Sequence, residues 1–254
     1  MKHCVITGAA DGIGKALAQR FAAENYAITG IDVDAERAEQ TQTELSRDGA
    51  TIAFLLADLS CETDIADTLA TLKDRPPIDV LIHNAGINAV GSFADSNLHH
   101  QQKVLDINLL APMHLTAGLL HENRIARGAS LVFISSLSRV VSYPGAVVYA
   151  ASKDGLASYA RSLAAALAHN DTHVLTVYPG PTRTAHARRY SPDNRNEQRR
   201  MPPERLADLI YQSVQQRRRV LIPGMGNRIF AIVGRLAPGL VEWVMRRTLF
   251  EKLQ

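Results

Sequence analysis

A hydroxyl, a phenol and an ammonium lie within an 18-residue stretch, at Ser136, Tyr149 and Lys153. Tyr149 and Lys153 are four apart, so on a helix beginning near Ala146 they share one face, a turn apart. An ammonium beside a phenol favours the phenolate. A phenol tuned toward neutral pH can give or take a proton at a carbonyl or alcohol oxygen. Taken alone, a Tyr-x-x-x-Lys pair is more often an ordinary helix surface. Its meaning therefore depends on the elements that hold it.

Those elements alternate. Leu131–Ile134, just before Ser136, is an apolar run that reads as a buried strand. Near the start, Cys4-Val5-Ile6 reads as a short strand, followed by Thr7-Gly8-Ala9-Ala10-Asp11-Gly12-Ile13-Gly14 and a helical pattern to about Glu24. Glycines at such a strand-to-helix turn let the backbone approach a pyrophosphate, whose charge the helix N-terminus favours. Lys15 follows Gly14, but the register of a Walker phosphate loop is absent. A second strand, Ala27 to Ile31, ends at Asp32, 18 residues beyond Gly14. A carboxylate there can accept from the free hydroxyls of an adenosine ribose and would repel a 2′-phosphate, which favours NAD over NADP. Asp32 and Asp34 can also cap the polar helix expected from about Ala35 to Arg47.

Thr51 to Leu56 reads as a third strand, ending at Asp58-Leu59. Asp58 can face an adenine edge or cap a helix from Cys61 onward. Asp79 to His83 reads as the fourth strand and runs into the small residues Asn84-Ala85-Gly86, where a cofactor can lie close to the backbone. A largely helical stretch is expected from Ala94 to Leu120. Within it, Asn108 sits between Ile107 and Leu109, where a buried amide needs hydrogen-bond partners. It can hold a bend or a water chain, or be purely structural, and Pro112 favours a local irregularity. A helix from about Val148 to His169 offers Ala157, Ala160 and Ala164 for close helix contact, including across a dimer. Val174 to Tyr178 reads as the sixth strand and ends at Pro179-Gly180-Pro181-Thr182-Arg183-Thr184. The rhythm predicts an α/β fold with right-handed crossovers and a parallel sheet.

With 254 residues and 46% hydrophobic side chains, the chain suits one large domain or two small ones. Cys4 and Cys61 give neither a disulfide framework nor zinc spacing, and a buried thiol is expected at Cys4. His99-His100 reads as surface, and no metal is expected. The opening residues lack an apolar signal segment, so a cytoplasmic, reducing location is expected. Charge is uneven: residues 1–182 carry a net of −6 and residues 183–254 a net of +9. That asymmetry suits an electrostatic face or a solvated surface. No nucleic-acid recognition module accompanies it.

The order Thr7–Gly14, Asn84–Gly86, Asn108, Ser136, Tyr149, Lys153 and Pro179–Thr184 resembles the short-chain dehydrogenase/reductase family, over about residues 3–225. The resemblance implies a doubly wound Rossmann fold with a mostly parallel seven-stranded sheet. It implies a catalytic tetrad of Asn108, Ser136, Tyr149 and Lys153. A nicotinamide cofactor would lie against Gly8, Asp11, Gly12, Ile13 and Gly14, then Asp32, Asp58 and Leu59, then Asn84, Ala85 and Gly86. Pro179, Gly180, Thr182 and Thr184 would complete its site, with Tyr149 and Lys153 at the nicotinamide end. Thr184 matches the residue that usually holds the carboxamide, with Thr182 a nearby alternative. NADPH users in the family often carry a basic residue before the second motif glycine or after the second strand. Asp11, Asp32 and Val33 stand there, which agrees with NAD.

The implied activity is hydride transfer between a nicotinamide and a secondary alcohol or ketone, by a homodimer or homotetramer. The residues alone also allow a noncatalytic NAD-binding sensor or scaffold. Residues 185–202 fall where the family has a substrate lid, continued by a helix to about 216. The lid holds Arg188, Arg189, Arg195, Arg199 and Arg200, which suit either an acidic substrate or simple solubility. Val220 to Pro223 reads as the last strand, closing a domain over 1–226. Beyond it lies a basic, apolar extension over 227–254, divided by Pro238 into two short helices. It can lie at a membrane surface, cover a neighbouring subunit or wall an apolar pocket. Family members with similar tails suggest a hydrophobic or lipid-like substrate.

Overall fold

A computed structural model describes residues 1–91, 97–140, 145–191 and 194–248. The strands are β1 (Lys2–Thr7), β2 (Tyr26–Asp32), β3 (Ile52–Leu56), β4 (Ile78–His83), β5 (Ile125–Ile134), β6 (His173–Val177) and β7 (Val220–Leu221). They form one seven-stranded sheet, in the order β3-β2-β1-β4-β5-β6-β7, with every pairing parallel. This is the doubly wound Rossmann arrangement. Its strand order reverses between β1 and β4, where such sheets open a ligand crevice beyond the strand ends.

Both sheet faces are covered, so the strands read as unbroken apolar runs. Alternate residues serve opposite layers. Cys4, Ile6, Val132 and Ile134 pack toward α1 (Gly12–Ala22) and α8 (Pro203–Gln215). Val5, Leu81, Leu131 and Phe133 pack toward α3 (Glu62–Lys73), α5 (Ala111–His121) and α6 (Val147–Ala166). Ala160 of α6 is buried in the second layer, and Ala157 is buried against Leu137, Tyr178 and Ala231. The Cys4 thiol is buried as expected.

Caps set several helix starts. The Asp11 carboxylate accepts from Gly12 N at 2.7 Å to open α1. Asp34 accepts from Arg37 N at 3.0 Å to open α2 (Ala35–Arg47). Pro203 stands in the first turn of α8, where a missing N–H is harmless. Gly14 fixes how closely α1 approaches the end of β1. A Cβ there would lie 1.8 Å from Gly8 O and 2.8 Å from Asn84 Nδ2. Gly14→Ala should therefore destabilise the chain by about 1–3 kcal/mol or more. Thermal unfolding would show a midpoint lower by about 2–4 °C for each kcal/mol. A midpoint equal to the parent's would remove this close-approach account.

The structure departs from the sequence expectations in identifiable places. β5 begins at Ile125, six residues before the apolar run, because its half-exposed entry end carries Ala126, Arg127 and Gly128. The helical stretch expected from Ala94 is described from Leu98, since Ala94 to Ser96 lie outside the described residues. It is divided into α4 (Leu98–Leu105) and α5 by a π-helical turn at Asp106–Leu110. That turn is the irregularity anticipated from Pro112, and it centres on Asn108. β7 keeps only two residues. A short helix, α7 (Ala185–Tyr190), stands in the lid segment. The extension folds as α9 (Met225–Leu236) and α10 (Pro238–Thr248), separated near Pro238 as expected. Leu249 to Gln254 lie outside the described residues.

Candidate active site

The C-terminal ends of β1 and β4 are tied together across the switch point. Thr7 Oγ1 accepts from Asn84 N and Ala85 N, each at 3.0 Å. Asn84 Nδ2 donates to Thr7 O and Gly8 O, each at 3.0 Å. Gly8 has φ +65° and Gly12 φ +55°, conformations that a side chain would strain. Together with Asp11, Ile13, Ala85 and Gly86 they line a groove over the start of α1. This is the cradle a pyrophosphate needs: open backbone beside a helix N-terminus.

Carboxylates crowd the far end. Asp32 accepts from Ala10 N at 2.9 Å and from Asp34 N at 3.1 Å, so it shapes the glycine turn as well as facing it. Each oxygen retains a further acceptor position for a hydroxyl. Arg37 bridges Asp11 at 3.3 Å and Asp34 at 3.4 Å. Asp58 turns onto Ser60 N at 2.9 Å and Lys103 Nζ at 2.9 Å. Partial burial pushes its carboxyl up, but these partners outweigh that and hold it down at about 2. Asp58 does not cap α3: Cys61 stands there, without a side-chain capping hydrogen bond. Leu59 packs its side chain into the core, which leaves its backbone for any cofactor contact.

The four residues expected to form the tetrad come from three elements: Asn108 from the π turn, Ser136 from the chain after β5, and Tyr149 and Lys153 from α6. Asn108 is fully buried in the π turn. Its Nδ2 donates to Ile87 O at 2.9 Å and Ser152 Oγ at 3.0 Å, and its Oδ1 accepts from Ile87 N at 2.9 Å. Both amide hydrogens are thus engaged, while Oδ1 keeps one acceptor position. A Cβ on Gly86 would stand 3.1 Å from that oxygen and 3.1 Å from Lys153 Nζ. The glycine keeps this space open between the two.

Lys153 is 3% exposed and donates to Ile134 O at 2.9 Å. Burial pushes its ammonium down to about 8. Ser135 Oγ fastens the same residue by donating to Lys153 O at 2.8 Å. The ammonium lies 5.9 Å from the Tyr149 ring centroid. Ser136 accepts from Ser138 N at 3.2 Å, which turns its hydroxyl oxygen toward the chain that follows β5.

Two clefts meet at Tyr149. The first is the groove over the start of α1, and the second runs past Ser136 toward the C-terminal helices. Ile13, Tyr149, Pro179, Thr184 and His186 line both. Gly180 and Thr182 line only the second, and Thr182 Oγ1 donates back to Gly180 O at 3.2 Å. Of the two threonines, Thr184 is the one at the groove. It also caps α7, accepting from Ala187 N at 3.0 Å. Phe230 of α9 and Met245 of α10 wall the second cleft, so the extension contributes to it.

His186 was not singled out by sequence reasoning. Its side chain keeps solvent exposure where the two clefts meet; partial loss of water, then the nearby Lys153 and Arg189, lower its imidazole pKa. A histidine in an arginine-rich segment carries no local signal that it will line a cleft. His99 and His100 are exposed, as expected.

The short chain dehydrogenase family profile matches residues 2–195. The chain belongs to that family. It is a nicotinamide-dependent oxidoreductase. A mouse 3-oxoacyl-[acyl-carrier-protein] reductase is 32% identical over 184 residues, covering 72% of this chain and 76% of that protein. A short-chain dehydrogenase from Sphingobium yanoikuyae, solved with NADPH, is 25% identical and superposes with a TM-score of 0.80 over 94% of this chain and 95% of that one. A bulky-bulky ketone specific alcohol dehydrogenase from Comamonas testosteroni is 26% identical, with a TM-score of 0.78 over 94% of this chain and 93% of that one.

Proposed function

We propose that the chain interconverts a hydrophobic secondary alcohol and its ketone, with NAD as the preferred cofactor. The observation that carries this reading is the placement of Tyr149 on both clefts, with the buried Lys153 ammonium beside its ring. Gly8, Gly12, Asn84 and Thr184 would hold a nicotinamide cofactor in the groove, where it would supply or accept the hydride at the carbinol carbon. Tyr149, as phenolate, takes the hydroxyl proton in oxidation and returns it to the carbonyl oxygen in reduction. Ser136 donates to that same oxygen, where charge develops in the transition state. Lys153 favours the phenolate. A water donating to Asn108 Oδ1 and accepting from Lys153 would occupy the space beside Gly86 and carry protons outward.

The second cleft supports an apolar substrate. Leu137, Pro181, Phe230 and Met245 line it. Arg200 also reaches it, but its Nη2 donates to Ser191 Oγ and Asn194 Oδ1, each at 2.8 Å. Arg188 faces Glu197 at 3.4 Å. Arg188 and Arg200 thus tie parts of the lid to each other, which supports a structural role for these two. Assembly as a homodimer or homotetramer belongs to the same reading. A panel of ketones with NADH tests it: turnover should rise with apolar bulk beside the carbonyl. Cofactor binding without turnover across the panel would overturn it.

NAD preference rests on Asp11, Asp32 and Asp34 at the ribose end, where Arg37 pairs with Asp11 and Asp34. Kinship does not choose, since the Sphingobium relative carries NADPH. The parent should favour NADH over NADPH by at least about tenfold in kcat/KM, equivalent to ~1.4 kcal/mol. Asp32→Ala should erase most of that ratio. An unchanged ratio in the variant would leave Asp32 with its turn-shaping role alone.

A further inference from the structure

We propose that the outward face of α9 is a docking surface for an anionic lipid bilayer, continued by Leu240 and Trp243 of α10. Met225, Ile229, Ile232 and Leu236 are 70%, 56%, 59% and 79% exposed. Their spacing places all four within about 60° of arc on the helix. The opposite side holds the buried Ala231 and Gly234, which seat α9 on the protein. Phe230 points into the substrate cleft instead. Leu240 and Trp243 are 57% and 53% exposed. So long an apolar stripe on a surface helix marks an interaction site.

Charge selects the occupant. Arg228 and Arg235 fall along one border of the stripe, and both are exposed. Arg247 stacks over the Trp243 ring at 4.9 Å, placing a cation beside an interfacial aromatic. Residues 225–248 hold four arginines and a single acid, Glu242. A second copy docking by twofold symmetry would bring these arginines toward their own kind. Anionic headgroups would meet them with opposite charge while the stripe enters the acyl boundary. Among the described residues no helix is long and apolar enough to cross a membrane, so the contact is interfacial. Because the same helix walls the cleft through Phe230, docking would set the cleft beside the bilayer.

Deleting the extension is a poor test, since it would open the cleft. Surface substitutions are better. The full-length protein should sediment with mixed phosphatidylcholine–phosphatidylglycerol vesicles and much less with phosphatidylcholine alone. Ile229→Ser, Ile232→Ser and Leu236→Ser combined should lower vesicle partitioning at least about tenfold. Arg235→Gln with Arg246→Gln should weaken it and flatten its salt dependence. Parent-like turnover on a water-soluble ketone would show that the variants fold. The proposal is overturned if the parent stays in solution with anionic vesicles, or if the serine variant partitions as the parent does. It is equally overturned if that variant splits a dimer without changing partitioning, which would assign the face to a second copy. Sedimentation is read without turnover, so this surface and the proposed reaction fail separately.

Discussion

Tyr149→Phe should lower turnover by about 10²–10⁴-fold, the range that general acid–base groups contribute. NADH binding, followed by fluorescence titration, should stay within a few-fold of the parent. The substitution removes one oxygen and keeps the ring that lines both clefts. No other side chain lining that junction offers an equivalent proton. His186 is close, but partial loss of water, then Lys153 and Arg189, lower its imidazole pKa, which makes it a weaker base than a phenolate at pH 7. Ser136 has the wrong acidity to act as the base, although it can orient the oxygen. Ser136→Ala should therefore be impaired as well, with water replacing part of the lost hydrogen bond. Turnover near the parent's in the phenylalanine variant would remove Tyr149 from the reaction.

What could be read in the chain was what depends on local order. The glycine turn, the strand before it and the carboxylate at Asp32 follow one another within a single β-α-β unit. Tyr149 and Lys153 are fixed by one helical turn, so their shared face needed no tertiary information. Asn108 was legible as a buried amide requiring partners, but Ile87 and Ser152 come from other elements and could not be named. The π turn was foreseeable only as an irregularity near Pro112. Its register is set by the packing of Asn108 against Ile87 and Ser152. The choice between Thr182 and Thr184 is likewise a matter of which way the loop after β6 turns. The extension showed its amphipathicity in sequence, but one face of α9 proved to close the chain's own cleft. Long-range packing decided each of these cases, and a one-dimensional pattern does not record it.

Lys153→Met should separate stability from catalysis. Turnover should fall by about 10² or more, because the phenolate loses its cation. Stability should respond in the opposite sense at neutral pH. Burial holds the lysine at about 8 in the folded chain, against an ordinary 10.5. Between those values the unfolded chain binds more protons than the folded one, so folding is favoured as pH rises through that window. Below about pH 8 both states are protonated, and the folded chain carries the full burden of a buried charge, on the order of 3 kcal/mol. Methionine removes that burden but leaves Ile134 O without the donor it has at 2.9 Å, which costs ~1–3 kcal/mol. The variant should thus be no less stable than the parent at pH 7. Between pH 8 and about pH 10 the parent should gain on it steadily. Urea unfolding of the cofactor-free proteins at several pH values measures this difference directly. Parallel stability curves would mean that Lys153 does not titrate in that window. A less stable variant at pH 7 would mean that its hydrogen bond outweighs its desolvation. A rising difference joined to lost turnover would show that the fold bears a buried cation for the reaction at Tyr149 rather than for its own stability.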